Sequence, residues 1–175
     1  PAAVAANFTV SGGVTVTGIP TRIFHLMPVN SAWSSSLQSL EWLRHFVASD
    51  QELHRIVARS LVLKWGEQKK SRWPAVAQIR ALMALSLSAH FLIGQQPSGF
   101  RESFYALLEK QIARVSSLRP ALPADQLRQA LALQYASIAF CTTGALRENA
   151  HARLCTVIDQ VILPDGGHAS RNPSD

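Results

Sequence analysis

An all-α chain preceded by a short β-hairpin is expected from two features of the sequence. Before residue 20 apolar and polar residues alternate; from Ser31 onward the apolar residues recur every three or four positions, the spacing that lines one face of a helix. Gly94, Pro97 and Gly99, then Pro120 and Pro123, interrupt that pattern and divide it into segments short enough to fold back on one another. With 175 residues and 47% hydrophobic content the chain can build one good core. Three regions follow: a hairpin and extended connector over 1–30, a helical domain over 31–163, and a polar loop bounded by glycine and proline over 164–175.

The hairpin spans Asn7 to Thr17, with Phe8 and Val10 before Ser11-Gly12-Gly13 and Val14 and Val16 after it. Gly18, Pro20, Pro28 and Asn30 mark the connector. Trp33, Leu37, Leu40, Leu43 and Val47 form the stripe of a first helix. Asp50 is placed to cap a second, whose stripe is Leu53, Ile56, Val57, Leu61 and Trp65 and whose end is Gly66. Trp73-Pro74 opens a third helix, apolar nearly all round and so expected to be enclosed. Phe100, Phe104, Leu107, Leu108, Ile112 and Val115 line the fourth. The fifth runs from Pro123 to Cys141 through Leu127, Leu131, Tyr135 and Ile138; the sixth runs from Arg147 to Leu163 through Ala150, Leu154, Val157, Ile158 and Val161. Such a series makes successive antiparallel hairpins of about 40 residues each, which can wind as a bundle, an α-solenoid or an α/α toroid.

Charge narrows the partners. Lys and Arg number 17 against 11 Asp and Glu, a net charge of +6 that favours polyanions: nucleic acid, anionic lipid or acidic polysaccharide. The longest apolar run, Ala81 to Ile93, is too short for a membrane span, and no signal-peptide pattern opens the sequence. Cys141 and Cys155 sit on apolar stripes and read as buried free thiols. No GxSxG, Walker A or GxGxxG motif is present, and no cofactor is expected in this segment. His45 and His54 read as helix-surface or interface residues and His90 as a hydrogen-bonded core histidine. His151 and Cys155 stand four apart on one helix, but two ligands do not make a metal site and no metal is expected. Lys64, Lys69, Lys70 and Arg72 interleave with Trp65 and Trp73; the preferred reading is a solvated helix end with both tryptophans in the core. The competing function is a non-catalytic basic helical module that binds nucleic acid or another polyanion.

The most informative stretch is the last. Ile162-Leu163-Pro164-Asp165-Gly166-Gly167-His168-Ala169-Ser170-Arg171-Asn172-Pro173 sets two glycines between two prolines and presents Asp165, His168, Ser170, Arg171 and Asn172 within eight positions. That mixture suits a site for an anionic, hydroxyl-rich ligand.

Val161 to Pro173 resembles the segment that closes the early helical part of bacterial heparinase II/III-like proteins. Leu40-Glu41-Trp42-Leu43-Arg44, the helix end at Trp65, Arg80 and Ser88-Ala89-His90-Phe91-Leu92 fall where that family has similar patterns, so the likeness covers most of the chain. The resemblance implies an incomplete α/α toroid, followed in the parent protein by further helices and a β-sandwich absent from this chain. It implies a polysaccharide lyase that cleaves uronate-containing chains by β-elimination, with an acidic polysaccharide as partner. His168 is the candidate catalytic residue, and Ser170, Arg171 and Asn172 are the candidate substrate-binding residues. Neither Tyr105 nor Tyr135 lies in a motif that matches the family's catalytic tyrosine, which is expected beyond residue 175. Open toroid faces would favour self-association, and the family points to the bacterial cell envelope or periplasm, with the cytoplasm as the other compartment.

Overall fold

The computed structural model describes residues 6–10, 14–18, 24, 31–49, 51–68, 73–94, 98–139, 144–163 and 167, and these are mostly helical. The helices are α1 (Ser31–Gln38), α2 (Leu43–Ser49), α3 (Glu52–Gly66), α4 (Ala75–Leu87), α5 (Ala89–Ile93), α6 (Ser98–Ser117), α7 (Pro123–Ala139) and α8 (Gly144–Val161). Ahead of them β1 (Ala6–Val10) and β2 (Val14–Gly18) are paired antiparallel, with Phe8 opposite Val16. Residues 11–13, where the expected turn falls, lie outside the described residues, as do Asp50 and Cys141.

Two of the expected helices are each divided. Between α1 and α2 the backbone of Leu40 adopts φ 58, a left-handed conformation that an L-residue reaches only at a cost. That cost is offset by burial, because Leu40 and Leu43 are both fully enclosed, and the Trp42 indole N–H donates to Leu37 O at 3.3 Å across the turn. The stripe reads as continuous in sequence because Leu37 before the turn and Leu43 and Val47 after it face the same core. The long third helix breaks at Ser88 into α4 and α5.

A buried arginine closes α5. Its last carbonyls have no partner within the helix. Arg59 of α3 supplies one: Nε donates to Leu92 O at 2.7 Å and Nη2 to Ile93 O at 3.5 Å. Gly94 follows at φ 47, where a side chain would be strained and its Cβ would come within 3.4 Å of Arg59 Nη2. Burial pulls the Arg59 guanidinium below its ordinary pKa, while Glu52, 3.5 Å away, pushes it back up. The Phe100 ring lies 5.4 Å beneath the charge.

α4 is the central element: it touches α1, α6 and α7, and α7 in turn touches α8, while α3 touches α2, α5 and α6. The α4–α7 contact is among the most extensive, and α7 faces the main core with Ala132, Leu133 and Ala136. Small side chains let two helix axes approach closely, which the larger residues of α7 would prevent. The expected stripe of Tyr135 and Ile138 is therefore turned outward, at 43% and 53% exposure. Leu53 and Ile56 on α3 are likewise exposed; its buried face is Ala58, Arg59, Leu61, Val62 and Trp65. On α8 the expected Val157 and Val161 are buried against Ala130, but Ile158 is exposed.

Buried glutamines stitch the layers. Gln129 of α7 donates to Val115 O at 2.6 Å and Leu118 O at 3.2 Å, and its Oε1 accepts from Arg153 Nη2 at 2.7 Å, so one amide joins the end of α6 to α7 and α8. Gln111 Nε2 donates to Gln78 O at 3.0 Å, and Gln78 Nε2 to Trp73 O at 2.9 Å. Gln129→Ala leaves the Leu118 carbonyl and the Arg153 guanidinium without these partners, and is expected to cost about 2–3 kcal/mol in a urea titration. Gln126→Ala, which removes one bond to Pro120 O from a more exposed residue, is expected to cost under about 1 kcal/mol.

Candidate functional site

α8 leads into the terminal loop through the buried Val161, and Leu163 N donates to Gly167 O at 2.7 Å. His168, Ser170, Arg171 and Asn172, the residues chosen for catalysis and substrate binding, lie outside the described residues.

The turn at Leu40 brings together residues from the sequence patterns that carry the family resemblance. Glu41 and Arg44 meet Arg80, Met83, Ala84, Leu87 and Ser88 around a cleft of about 220 Å³. Arg80 Nη1 donates to Glu41 Oε1 at 3.1 Å, with both side chains nearly half exposed, so the pair is worth under about 1 kcal/mol and yields readily to a competing anion. The Arg44 guanidinium also lies 3.5 Å from His45 Nε2.

His90 departs from expectation. It is exposed rather than enclosed, because the break at Ser88 redirects α5, and with Ser86, Ala89, Ile93, Gly94 and Ala139 it lines a cleft of about 370 Å³. Among the described residues no acid, thiol or second histidine shares that lining. His54 is held by Ser49 Oγ at 2.6 Å and by the edge of Phe46, a structural arrangement. Cys155 is exposed, not buried, and its Sγ sits 3.7 Å from His151 Nε2. α8 packs chiefly on α7, so the face carrying this pair points away from the core. Among the described residues no three potential metal ligands converge.

Trp65 belongs to the core and Trp73, partly buried, packs against it. Trp65 is fully buried, donates its indole N–H to Gln38 O at 3.0 Å and lies 5.7 Å from Trp73. A stacking platform for bases needs an open aromatic face, and Trp65 has none. Lys69, Lys70 and Arg72 lie outside the described residues. The largest of these clefts, about 590 Å³, opens between the end of α3 and the middle of α6. Sequence reading overlooked it; the only available sign was Lys110 and Arg114, four residues apart on one helix. No helix among the described residues is long and apolar enough to cross a membrane. No protein-family model, curated protein or solved structure matches the chain.

Proposed function

We propose that this chain is the N-terminal helical segment of a heparinase II/III-like polysaccharide lyase, opening with a β-hairpin and forming part of an α/α toroid. The observation that carries the reading is the loop sequence from Leu163 to Pro173, with His168, Ser170, Arg171 and Asn172 beside two glycines. The packing order supports it: a series of hairpins in a toroid brings alternate helices together in layers, and here α1, α4 and α7 touch in succession while α3 touches α6.

In β-elimination a base removes the proton beside the uronate carboxylate, and an acid protonates the departing glycosidic oxygen. Negative charge builds on the carboxylate as the proton leaves, so fixed donors beside it stabilise the transition state more than the ground state. Arg171 and Asn172 are donors, and His168 donates or shares a proton. The buried Trp65 weakens the nucleic-acid alternative.

The test is a lyase assay on the parent polypeptide, followed by the ultraviolet absorbance of the unsaturated uronate product from heparan-type chains and alginate. Turnover is expected from the parent and none from residues 1–175 alone, since Tyr105 is packed against the core and Tyr135 belongs to no matching motif. No product from any uronate polymer would overturn the reading.

A further inference from the structure

We infer that the cleft between α3 and α6 is a binding groove for an anionic oligosaccharide, separate from the loop of His168. One wall is Leu63, Gly66, Glu67 and Gln68; the other is α6, with Ser103, Ala106, Lys110 and Arg114. A Cβ on Gly66 would run into Leu107 Cδ1, so the helices meet closely at the floor and the groove opens above that contact.

Its charge is uncompensated among the described residues. Lys110 and Arg114 are exposed on one face of α6, and although the Arg114 backbone carbonyl accepts from Ser117 Oγ at 2.7 Å, neither cationic side chain has a hydrogen bond or ion pair among the described residues. Like charges four residues apart on a helix repel, so the pair weakens α6 unless an anion sits between or over them. The carboxylate in the lining, Glu67, lies 2.8 Å from Lys64 and not on Lys110 or Arg114. In sequence, Lys69, Lys70 and Arg72 follow directly after Gln68.

The other lining groups choose the class of anion. Leu63, Ala106 and Leu107 give an apolar floor for the C–H face of a sugar ring. Ser103 Oγ donates to Gly99 O and Gln68 Nε2 to Lys64 O, which leaves Ser103 Oγ and Gln68 Oε1 as acceptors for ring hydroxyls. Among the described residues no aromatic ring lines the groove, and the neighbouring Trp65 is buried, so a nucleic-acid strand finds charge here but no described surface on which to stack. A volume of about 590 Å³ accommodates more than one sugar ring. The inference rests on the proposed lyase reading only for the choice of sugar as the anion's carrier.

Calorimetric titration of the 175-residue chain with a heparin-derived hexasaccharide, at low salt, tests it. The double variant Lys110→Gln/Arg114→Gln is expected to bind at least tenfold more weakly and to show a shallower dependence on salt. Ala106→Glu keeps both cations but sets a carboxylate one turn from Lys110; it should preserve or slightly raise helix stability while weakening binding by a similar factor. Arg44→Gln/Arg80→Gln, in the separate 220 Å³ cleft, should change the affinity less than twofold. Unaltered affinity in both groove variants, or no binding by the wild-type chain, overturns the inference. So does tighter binding of a single-stranded oligonucleotide of equal charge. The lyase reading fails separately: binding lost in the groove variants, with no turnover by the parent, retains the groove and removes the enzyme.

Discussion

On the proposed lyase reading, alanine at His168, Arg171 or Asn172 in the parent polypeptide is expected to lower turnover by about 10²- to 10³-fold at each position, the usual consequence of removing one fixed donor from a developing anion. The three substitutions should separate kinetically. A donor that engages the carboxylate equally before and during proton removal shows itself as a raised KM. One whose bond strengthens as charge builds lowers kcat and kcat/KM together. Arg171 offers a planar fork suited to a carboxylate, so Arg171→Lys, which keeps the charge but loses the fork, should recover only part of the loss. Asn172→Asp replaces a donor with a like charge and should be worse than Asn172→Ala. Circular dichroism of each variant should match the wild type, since Val161 and the Leu163–Gly167 backbone bond anchor the start of the loop without these side chains. Unchanged turnover for all three would reduce the loop to a turn.

Much of the helical content was legible because periodicity reports burial on one face, and the proline and glycine breaks near residues 95 and 120 are true element boundaries. The misreadings share a cause. Sequence patterns weight large apolar residues, whereas α7 turns Ala132 and Ala136 inward and leaves Tyr135 and Ile138 exposed. The turn at Leu40 was hidden for a related reason: a buried leucine in a left-handed conformation carries no glycine or proline to announce it. Arg59 was invisible as a core residue because its role depends on carbonyls more than 30 positions away. The candidate loop was legible as chemistry alone, from residue types and spacing. The α3–α6 groove needed the fold, since Gly66 and Leu107 meet only through tertiary packing.

Trp65→Ala is expected to be the most destabilising of these substitutions, costing about 3–5 kcal/mol. The side chain is fully buried, so removing it withdraws a large apolar area and leaves a cavity that the surrounding helices fill only in part. It also removes the indole N–H that reaches Gln38 O at 3.0 Å, the bond tying the C-terminal end of α3 to the last residue of α1. Trp73, at 5.7 Å, loses its ring partner at the entrance to α4. Trp65→Phe separates these effects: it retains much of the packing but leaves the Gln38 carbonyl without its donor, and should cost about 1–3 kcal/mol. Urea midpoints with unchanged slopes would establish both values as losses of folded-state stability. The same variants test how the chain meets polyanions, because Trp65→Phe molecules that remain folded should bind the hexasaccharide as the wild type does. A loss of polyanion affinity in Trp65→Phe at unchanged stability would mean that the indole is reached by ligand, and would restore the aromatic-interleaved surface as the nucleic-acid site.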